Sequence, residues 1–282
     1  MSAPRITDED LDRLIREDVP YGDLTTRSLA LSGQPAEIVF RAGAALVACS
    51  TEEAARIMTR LGCVATLAVA SGVSVATGEE LLSARGPADA VLAGWKVAQT
   101  LMEYASGIAS AAARIVEAAR SVRPDAVVAC TRKTFPGTKA VAIKAIVAGG
   151  AIPHRLGLSD TLLMFPEHRA LLGAVPLAEA IRRLKASCPE KKVVVEVTAE
   201  DDAGAAAEAG ADVVQLEKFA PDRVAAVARR LAGGTALIAA AGGINAANAA
   251  AYAAAGARIL VTSAPYSAPP VDVKVTIVPA TR

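Results

Sequence analysis

Histidine and cysteine are scarce in this chain of 282 residues, and their scarcity narrows the kinds of site that it can carry. With only two histidines, a histidine-rich metal site is not expected. The four cysteines stand at positions 49, 63, 130 and 188, far apart and without a CxxC pair. This spacing argues against a disulfide framework or a zinc site and is typical of reduced thiols, so we expect a cytoplasmic protein.

An excess of one charge and long runs of large apolar residues are also missing. The formal net charge is +1, so the chain lacks the excess of positive charge that is typical of nucleic-acid-binding proteins. Alanine is the largest contributor to the hydrophobic share of 53%, and the most apolar stretch, residues 236–257, contains glycines and asparagines. The acidic start, residues 1–14, lacks an apolar signal core. We therefore expect neither a nucleic-acid partner nor a membrane-spanning helix.

Short apolar strands alternate with helical segments in the C-terminal half of the chain. The strand-like runs are residues 125–130, 161–165, 191–197, 212–217, 236–243 and 258–263. Helical patterns follow three of these runs, at residues 199–211, 220–234 and 244–257. Near-continuous apolar strands that alternate with helices predict a parallel sheet covered on both faces, as in an α/β barrel or part of one.

The N-terminal part of the chain has a different pattern. Helices are expected at about residues 8–18 and 51–61, and residues 37–49 and 73–86 predict antiparallel strands broken by glycine turns. From residue 88 to about residue 120 the pattern is helical, with Gly94 and Gly107 as weak points. The alternating stretch 271–280 predicts a last strand that returns to the N-terminal domain.

Barrel enzymes place their chemistry at the C-terminal ends of the strands, so the residues there are candidate functional residues. In chain order they are Arg132, Lys133, Phe165, Glu196, Glu217, Gly242, Gly243, Thr262 and Ser263. Helix capping and solvent exposure remain open for any single one, although capping favours Ser, Thr, Asp and Asn over Arg, Lys and Glu. The glycine pair is compatible with a plain turn, or with backbone N–H groups that approach a phosphate.

The candidate residues fall into two groups of opposite charge. The cationic group consists of Arg132, Lys133, His154 and Arg155. It suits an anion with several carboxylates or phosphates, because guanidinium groups bind such groups bidentately. Glu196 and Glu217, with the glycine pair, suit a sugar with hydroxyls, a phosphate and a divalent ion. A sugar phosphate that carries pyrophosphate, together with an anionic acceptor, would occupy both groups.

Several stretches resemble the motifs of a known enzyme family over nearly the whole chain. In order, they are EDVPYGDLTT, SGIAS, TRKTFPGTKAVAIKAIVAGGAIPHRLGLSD, VVEV, VQLEK and AGGI. The family that they resemble is the quinolinate phosphoribosyltransferases, or nicotinate-nucleotide pyrophosphorylases. Further stretches, VPYGDLTT, GWKVAQ, FPEHR and TSAPY, resemble the ModD branch of that family, which is named for an association with molybdate transport genes.

The resemblance implies an α/β fold of two parts. An N-terminal α/β sandwich would cover residues 1–115, with residues 267–282 returning to it, and an open, incomplete TIM-like α/β barrel would cover residues 116–266. The resemblance also implies a homodimer, or an oligomer built from dimers, in which the partner completes each site.

By position, the resemblance also implies the residues of the site. The catalytic residues would be Lys133, Glu196 and Glu217, with the two glutamates holding the ribose directly or through Mg²⁺ bound with the substrate. The substrate-binding residues would be Thr131, Arg132, His154, Arg155, Phe165, the turn Ala241, Gly242 and Gly243, the stretch Thr262, Ser263 and Ala264, and Lys96 donated by the partner subunit.

The implied reaction moves ribose 5-phosphate from phosphoribosyl pyrophosphate to a ring nitrogen of an aromatic acceptor and releases pyrophosphate. Two departures make the acceptor pocket less cationic than the family pattern. Phe165 stands where that pattern has a lysine, and Lys96 stands where it has an arginine. Quinolinate is therefore expected to be a poor substrate. Two alternatives remain open: a true carboxylating nicotinate-nucleotide pyrophosphorylase of NAD biosynthesis, and a non-catalytic accessory protein of molybdenum uptake.

Overall fold

The computed structural model describes residues 4–280, so residues 1–3 and 281–282 of the predicted N-terminal domain lie outside the described part. Contacts divide the described chain into two compact units. Unit 1 comprises the residues up to 113, residues 135–150 and the residues from 265 onwards. Unit 2 comprises residues 114–134 and 151–264.

The elements are numbered in chain order. The helices are α1 (Asp8–Asp18), α2 (Leu24–Ser28), α3 (Thr51–Arg60), α4 (Ala88–Arg120), α5 (Lys139–Ala148), α6 (Pro166–Leu172), α7 (Leu177–Ser187), α8 (Glu200–Glu208), α9 (Pro221–Arg230) and α10 (Ala249–Ala254). The strands are β1 (Pro35–Ala42), β2 (Leu46–Val47), β3 (Val64–Leu67), β4 (Ser74–Val75), β5 (Glu80–Pro87), β6 (Val127–Cys130), β7 (Ile152–Pro153), β8 (Leu162–Met164), β9 (Val193–Val197), β10 (Val213–Glu217), β11 (Leu237–Ala241), β12 (Ile259–Thr262) and β13 (Val273–Pro279).

Unit 1 is built on a four-stranded antiparallel sheet in the order β13-β1-β5-β3. Strand β1 alternates buried and less buried residues, and Ile38 and Phe40 are fully buried on its inner side. Helix α3 supplies Ile57 and Met58 to the same core cluster. Strand β13, in the stretch where the sequence predicted a last strand, pairs antiparallel with β1 along its length.

Unit 2 is built on a seven-stranded parallel sheet in the order β7-β6-β12-β11-β10-β9-β8. Strands β7 and β8 stand at its two edges, so within the described residues the sheet is open and the barrel is incomplete. Helices α8 and α9 follow β9 and β10, in the strand–helix alternation that the apolar runs predicted. Among the described residues, no helix is both long enough and apolar enough to cross a bilayer.

Residues 135–150 differ from the sequence prediction, which placed them within the barrel domain, residues 116–266. In the structure they group with unit 1. Ala145 of α5 packs in a cluster with Val47, Cys49, Ala105 and Ala109. Small residues on α4 and α5 permit this close packing of helices, and a pattern of small apolar residues does not reveal which unit a helix will cover.

Candidate active site

Side chains on one face of the unit 2 sheet change from apolar to polar towards the C-terminal ends of the strands. A cluster of apolar residues fills this face lower down, with Val194 of β9 and Val213 of β10 among them. Successive residues of a strand alternate between faces, so Glu196 follows Val194, and Gln215 and Glu217 follow Val213, on the same face. The polar groups therefore stand above an apolar floor.

A cleft of about 540 Å³ opens at this polar edge, and nearly all of the predicted site residues line it. They are Thr131, Arg132, Lys133, His154, Arg155, Phe165, Glu196, Glu217, Ala241, Gly242, Gly243, Thr262, Ser263 and Ala264. The two charge groups thus belong to one cavity of unit 2. Lys96 lies elsewhere, on α4 of unit 1, where its ammonium donates a hydrogen bond to Gln99 Oε1 at 3.0 Å.

The acidic side of the cleft combines two carboxylates with an amide. Gln215 Nε2 donates a hydrogen bond of 2.6 Å to Glu196 Oε2 across the β9–β10 pair, where the two residues are register partners. Burial raises the pKa of Glu196, the Gln215 hydrogen bond lowers it, and the nearby charge of Glu217 raises it, with a net rise. Glu217 ends β10 and lies 4.0 Å from the ammonium of Lys218. Two half-buried carboxylates side by side favour a positively charged or hydrogen-bond-donating ligand.

The turn after β11 requires its two glycines. Gly242 and Gly243 have φ values of +94° and +74°, in the left-handed region that favours glycine. A Cβ atom on Gly242 would stand 2.7 Å from Lys218 Cγ and 3.1 Å from Lys218 N. Any side chain at position 242 would therefore displace the neighbouring strand end. The turn brings bare backbone to the wall of the cleft.

Thr262 supports this turn from the next strand. Its hydroxyl donates a hydrogen bond of 2.6 Å to Ile244 O and accepts one of 3.0 Å from Ala264 N. Thr262 itself is buried, at 3% exposure. Both bonds fix the loops on either side, so its hydroxyl acts on the shape of the cleft. Its predicted contact with substrate stays a prediction.

The cationic side of the cleft combines exposed and buried groups. Arg132 and Lys133 are exposed after β6, while Arg155 is buried, with 7% of its surface exposed. Burial and the nearby charge of Arg132 together lower the pKa of Arg155. Burial and the charge of Arg155 also lower the pKa of His154, which favours a neutral imidazole at neutral pH. An anion bound between these groups would relieve their mutual repulsion.

Phe165 forms an aromatic wall on the cationic side. The guanidinium carbon of Arg155 lies 5.4 Å from the centre of the Phe165 ring. The ring also stacks on His168 at 5.8 Å between centroids with an interplanar angle of 15°. His168 Nδ1 accepts a hydrogen bond of 3.0 Å from Phe165 N, which fixes the backbone at the start of α6. The cation–π contact and the stack hold the ring in one orientation.

The metal prediction rests on the two glutamates. Among residues 4–280, no group of three or more His, Cys, Asp and Glu side chains is arranged to hold a metal ion. Glu196 and Glu217 nevertheless line the same cleft. Mg²⁺ retains several waters and is commonly held by one or two carboxylates together with substrate phosphates. The donor set fits an ion that arrives with its substrate and does not fit a dedicated protein cage.

Two polar residues of the cleft were missed by the sequence analysis. Gln215 and Asn245 both line it. Gln215 stands two residues before Glu217, and the alternation of side chains along a strand would have placed both on one face. Asn245 closes the glycine turn, with its amide donating a hydrogen bond of 3.2 Å to Gly243 O. An asparagine in an ordinary loop carries no comparable signal.

Comparison with models of known families assigns both parts of the chain to a single family. The model of the quinolinate phosphoribosyl transferase C-terminal domain matches residues 108–276, and the model of the N-terminal domain matches residues 23–106. The chain belongs to the quinolinate phosphoribosyl transferase family. It is accordingly an enzyme of the pentosyltransferase class.

Individual relatives agree with this assignment. The chain is 59% identical over 246 residues to a Rhodobacter capsulatus protein named pyrophosphorylase ModD. The aligned residues are 86% of this chain and 95% of the relative. It is 34% identical over 214 residues to human nicotinate-nucleotide pyrophosphorylase (carboxylating), with 76% and 71% covered. The crystal structure of NadC from Streptococcus pyogenes matches with a TM-score of 0.90 and 25% identity, over 99% of this chain and 100% of NadC. The predicted fold, an N-terminal α/β domain and an incomplete barrel, is confirmed.

Proposed function

We propose that this phosphoribosyltransferase moves ribose 5-phosphate from phosphoribosyl pyrophosphate to a ring nitrogen of a flat aromatic acceptor that carries less negative charge than quinolinate. The observation that carries the proposal is the Phe165 ring, which lies under the Arg155 guanidinium at 5.4 Å in the cationic half of the cleft. The resemblance to the family implies a lysine at that position. An aromatic wall there favours a stacked ring over an additional carboxylate.

The acidic half of the cleft suits the sugar. When pyrophosphate leaves, the bond from the sugar carbon to its oxygen breaks and positive charge develops on the sugar ring, as in glycoside cleavage. Glu196 and Glu217 supply negative charge on that side, and a carboxylate that is partly removed from water interacts strongly with the developing charge. The acceptor nitrogen then forms the new carbon–nitrogen bond with its own lone pair. No covalent protein intermediate is needed.

The phosphates suit the opposite wall and the glycine turn. Lys133 is exposed at the mouth and provides an ammonium that can follow the departing pyrophosphate. The turn at Gly242 and Gly243 exposes backbone that a 5-phosphate can approach without meeting a side chain. Mg²⁺ would be held by Glu196 and Glu217 together with the substrate, and its contribution when bound would be to neutralise phosphate charge.

The expected acceptor specificity follows from the number of cationic side chains that the cleft offers to the carboxylates of the acceptor. Quinolinate carries two carboxylates, and each needs cationic partners when it leaves water. Arg132 and Arg155 line this cleft, but position 165 offers a ring. Loss of one partner from a desolvated charge typically costs about 3–5 kcal/mol, which weakens binding by two or more orders of magnitude. A ring with one anionic group that stacks on Phe165 avoids that cost.

The experiment is a screen of pyrophosphate release from phosphoribosyl pyrophosphate with Mg²⁺. The panel contains quinolinate, nicotinate and other aromatic acids with one carboxylate, and purine-like and pterin-like bases. We expect quinolinate to turn over at least 100-fold more slowly than the best acceptor. Phe165→Lys should improve quinolinate use, and Phe165→Leu, which removes the ring without adding charge, should not. Efficient quinolinate turnover by the unmodified protein, near an ordinary enzyme rate of about 10 per second, would restore a carboxylating nicotinate-nucleotide pyrophosphorylase as the function.

A connection to molybdenum transport is proposed from the resemblance to the ModD branch, which is named for an association with molybdate transport genes. The 59% identity to the R. capsulatus protein supports it, together with the 39% identity over 276 residues to an Escherichia coli protein of the same name. The cleft residues described above provide carboxylates, cations and an aromatic ring, which suit an organic phosphoribosyl acceptor. We therefore infer that any link to molybdenum lies in the use of the product and not in metal binding at this cleft. Tight molybdate binding by the purified protein in a calorimetric titration would contradict this.

A further inference from the structure

Gln215 is an unusual residue for the centre of a buried strand. It is 3% exposed, between Val214 and Leu216 of β10, and it lines the cleft. Its Nε2 donates to Glu196 Oε2 at 2.6 Å. Its Oε1 is buried and has no hydrogen-bond partner among the described residues. The NH₂ group of the amide is thus hydrogen-bonded within the protein, and the carbonyl oxygen is unpaired.

Folding alone gives no reason for this residue. A buried carbonyl oxygen without a donor lowers stability, because it loses its bonds to water and gains none in return. The side chain of Met has a similar length and no such group, and the strand neighbours Val214 and Leu216 are apolar. Residues that cost stability at the wall of a cleft are typical of functional positions.

The orientation of the amide follows from its neighbour. A carboxylate accepts hydrogen bonds, so the NH₂ group faces Glu196 and the carbonyl faces away from it. Gln215 lines the same cleft as Glu196 and Glu217, so its unpaired oxygen adds a third acceptor group to the two carboxylates there. Phosphates and carboxylates offer no donors to such a set, whereas a sugar with adjacent hydroxyls offers two. The ligand chemistry that fits is a polyhydroxylated ring.

We propose that Gln215 is a ribose-binding residue, whose Nε2 holds the Glu196 carboxylate in place and whose Oε1 accepts a hydrogen bond from a hydroxyl of the ribose. The proposal rests on the proposed function only in that the cleft receives a phosphoribosyl group. It does not depend on the identity of the acceptor. Gln215 thereby acts twice, once on the sugar and once through Glu196.

The test compares two probes on the full chain. Ribose 5-phosphate and inorganic phosphate are each titrated calorimetrically into the unmodified protein and into Gln215→Met. We expect the dissociation constant of ribose 5-phosphate to rise about tenfold or more, which corresponds to one lost hydrogen bond and a looser carboxylate. The dissociation constant of inorganic phosphate should stay within twofold, because the phosphate site does not include Gln215. The melting temperature of Gln215→Met should equal or exceed that of the unmodified protein.

Controls and kinetics separate this role from a purely structural one. Gln34→Met makes the same substitution at an exposed position outside the cleft and should change neither dissociation constant. Gln215→Leu replaces Gln215→Met should the latter fail to fold. In the transfer reaction, the KM for phosphoribosyl pyrophosphate should rise and kcat should fall, while the KM of the acceptor stays unchanged.

Each outcome decides the matter. If the unmodified protein binds ribose 5-phosphate more tightly than phosphate and the variants bind it equally well, Gln215 has no part in sugar binding, and the proposed function stands. If the unmodified protein binds ribose 5-phosphate no better than phosphate, the assignments of the cleft and of Gln215 both fail. A selective loss for the sugar phosphate in the variants supports the proposal.

Discussion

At the scale of single residues, the two glutamates are the groups whose charge should matter most. Glu196→Gln and Glu217→Gln keep the size and shape of the side chains and remove the charge. We expect each variant to lose transfer by about 10²–10³-fold, because loss of one preorganised electrostatic contact commonly raises the barrier by about 3 kcal/mol. Folding should be intact, because burial already disfavours the charged form of Glu196. Pyrophosphate release and the melting temperature are the measurements, and unchanged turnover in both variants would mark the acids as simple strand ends.

The sequence located most single residues of the site because one geometric rule governs them. Parallel strands end at the same edge, so Glu196, Glu217 and the residues after β6 were expected together, and the structure places them in one cleft. Gln215 was not predicted because it lies two residues before the end of its strand, within an apolar run. Lys96 was assigned through a predicted partner subunit, and it lies in unit 1 of its own chain. Its role stays a prediction.

At the scale of elements, the approach of α5 to α4 depends on a glycine. A Cβ atom on Gly149 would stand 2.3 Å from Ala109 O and 2.7 Å from Ala112 Cβ. Gly149→Ala should therefore push the two helices apart and lower the free energy of unfolding by about 1–3 kcal/mol. Gly157→Ala is the matched control, because an added Cβ there meets nothing within 4 Å and its φ is not in the left-handed region. Urea unfolding measures both variants, and equal stability would refute the close packing.

A second feature of α5 is an ion pair with α3. Lys144 Nζ lies 2.9 Å from Glu52 Oε2 and also bonds Glu53. Burial alone would raise the pKa of Glu52, but hydrogen bonds from Ser71 and Lys144 outweigh it and lower the pKa to about 2. A lowered pKa in the folded state stabilises the protein above the ordinary value of 4.5, and this contribution disappears as the pH falls towards 2.

Glu52→Gln should therefore reduce the free energy of unfolding at pH 7, and the difference from the unmodified protein should shrink between pH 4.5 and pH 3. Urea unfolding across this range is the measurement, with the exposed Glu190→Gln as the control. A difference that stays constant down to pH 3 would show that the carboxylate charge of Glu52 is not what stabilises α3 against α5.

The sequence predicted the extent of the longest helix, but it did not show the role of the glycines in that helix or the shortest strands. The long helix α4 was expected from residue 88 to about residue 120, and it spans Ala88–Arg120 without a break. A Cβ on Gly94 would stand 2.6 Å from Met58 Sδ, and one on Gly107 would stand 2.3 Å from Pro269 O. These glycines serve close contacts that only the folded chain reveals. Strand β7 has two residues, too few for any periodic pattern.

At the scale of the whole molecule, we predict an obligate homodimer in which Lys96 of one chain faces Arg132 and Arg155 of the other. Unit 1 presents a largely apolar groove beside Lys96, with Tyr104 and Phe135 exposed on it. Exposed aromatic groups in such a groove are typical of interfaces. Light scattering should give twice the chain mass, and a monomer with full activity would contradict the prediction.

Mixing two inactive variants tests the shared site directly. Lys96→Ala and Glu196→Gln are unfolded together and refolded, so that mixed dimers form. Each mixed dimer then has one site with both residues intact, and random assembly restores about a quarter of the parental activity in a two-fold symmetric dimer. Separate refolding of each variant is the control. Activity that does not recover would place Lys96 outside the partner's site.

The pairing of β1 with β13 also orders events during synthesis. Ala42 pairs with Val273, more than 230 residues later in the chain. While the ribosome makes the intervening segment, the edge of β1 that β13 later covers stays open, and open strand edges recruit other chains. The strands of the barrel sheet, residues 127–262, are all complete before that edge is covered. The nascent chain therefore carries a vulnerable edge through most of its translation, and chaperone binding should concentrate on β1 until the last strand emerges.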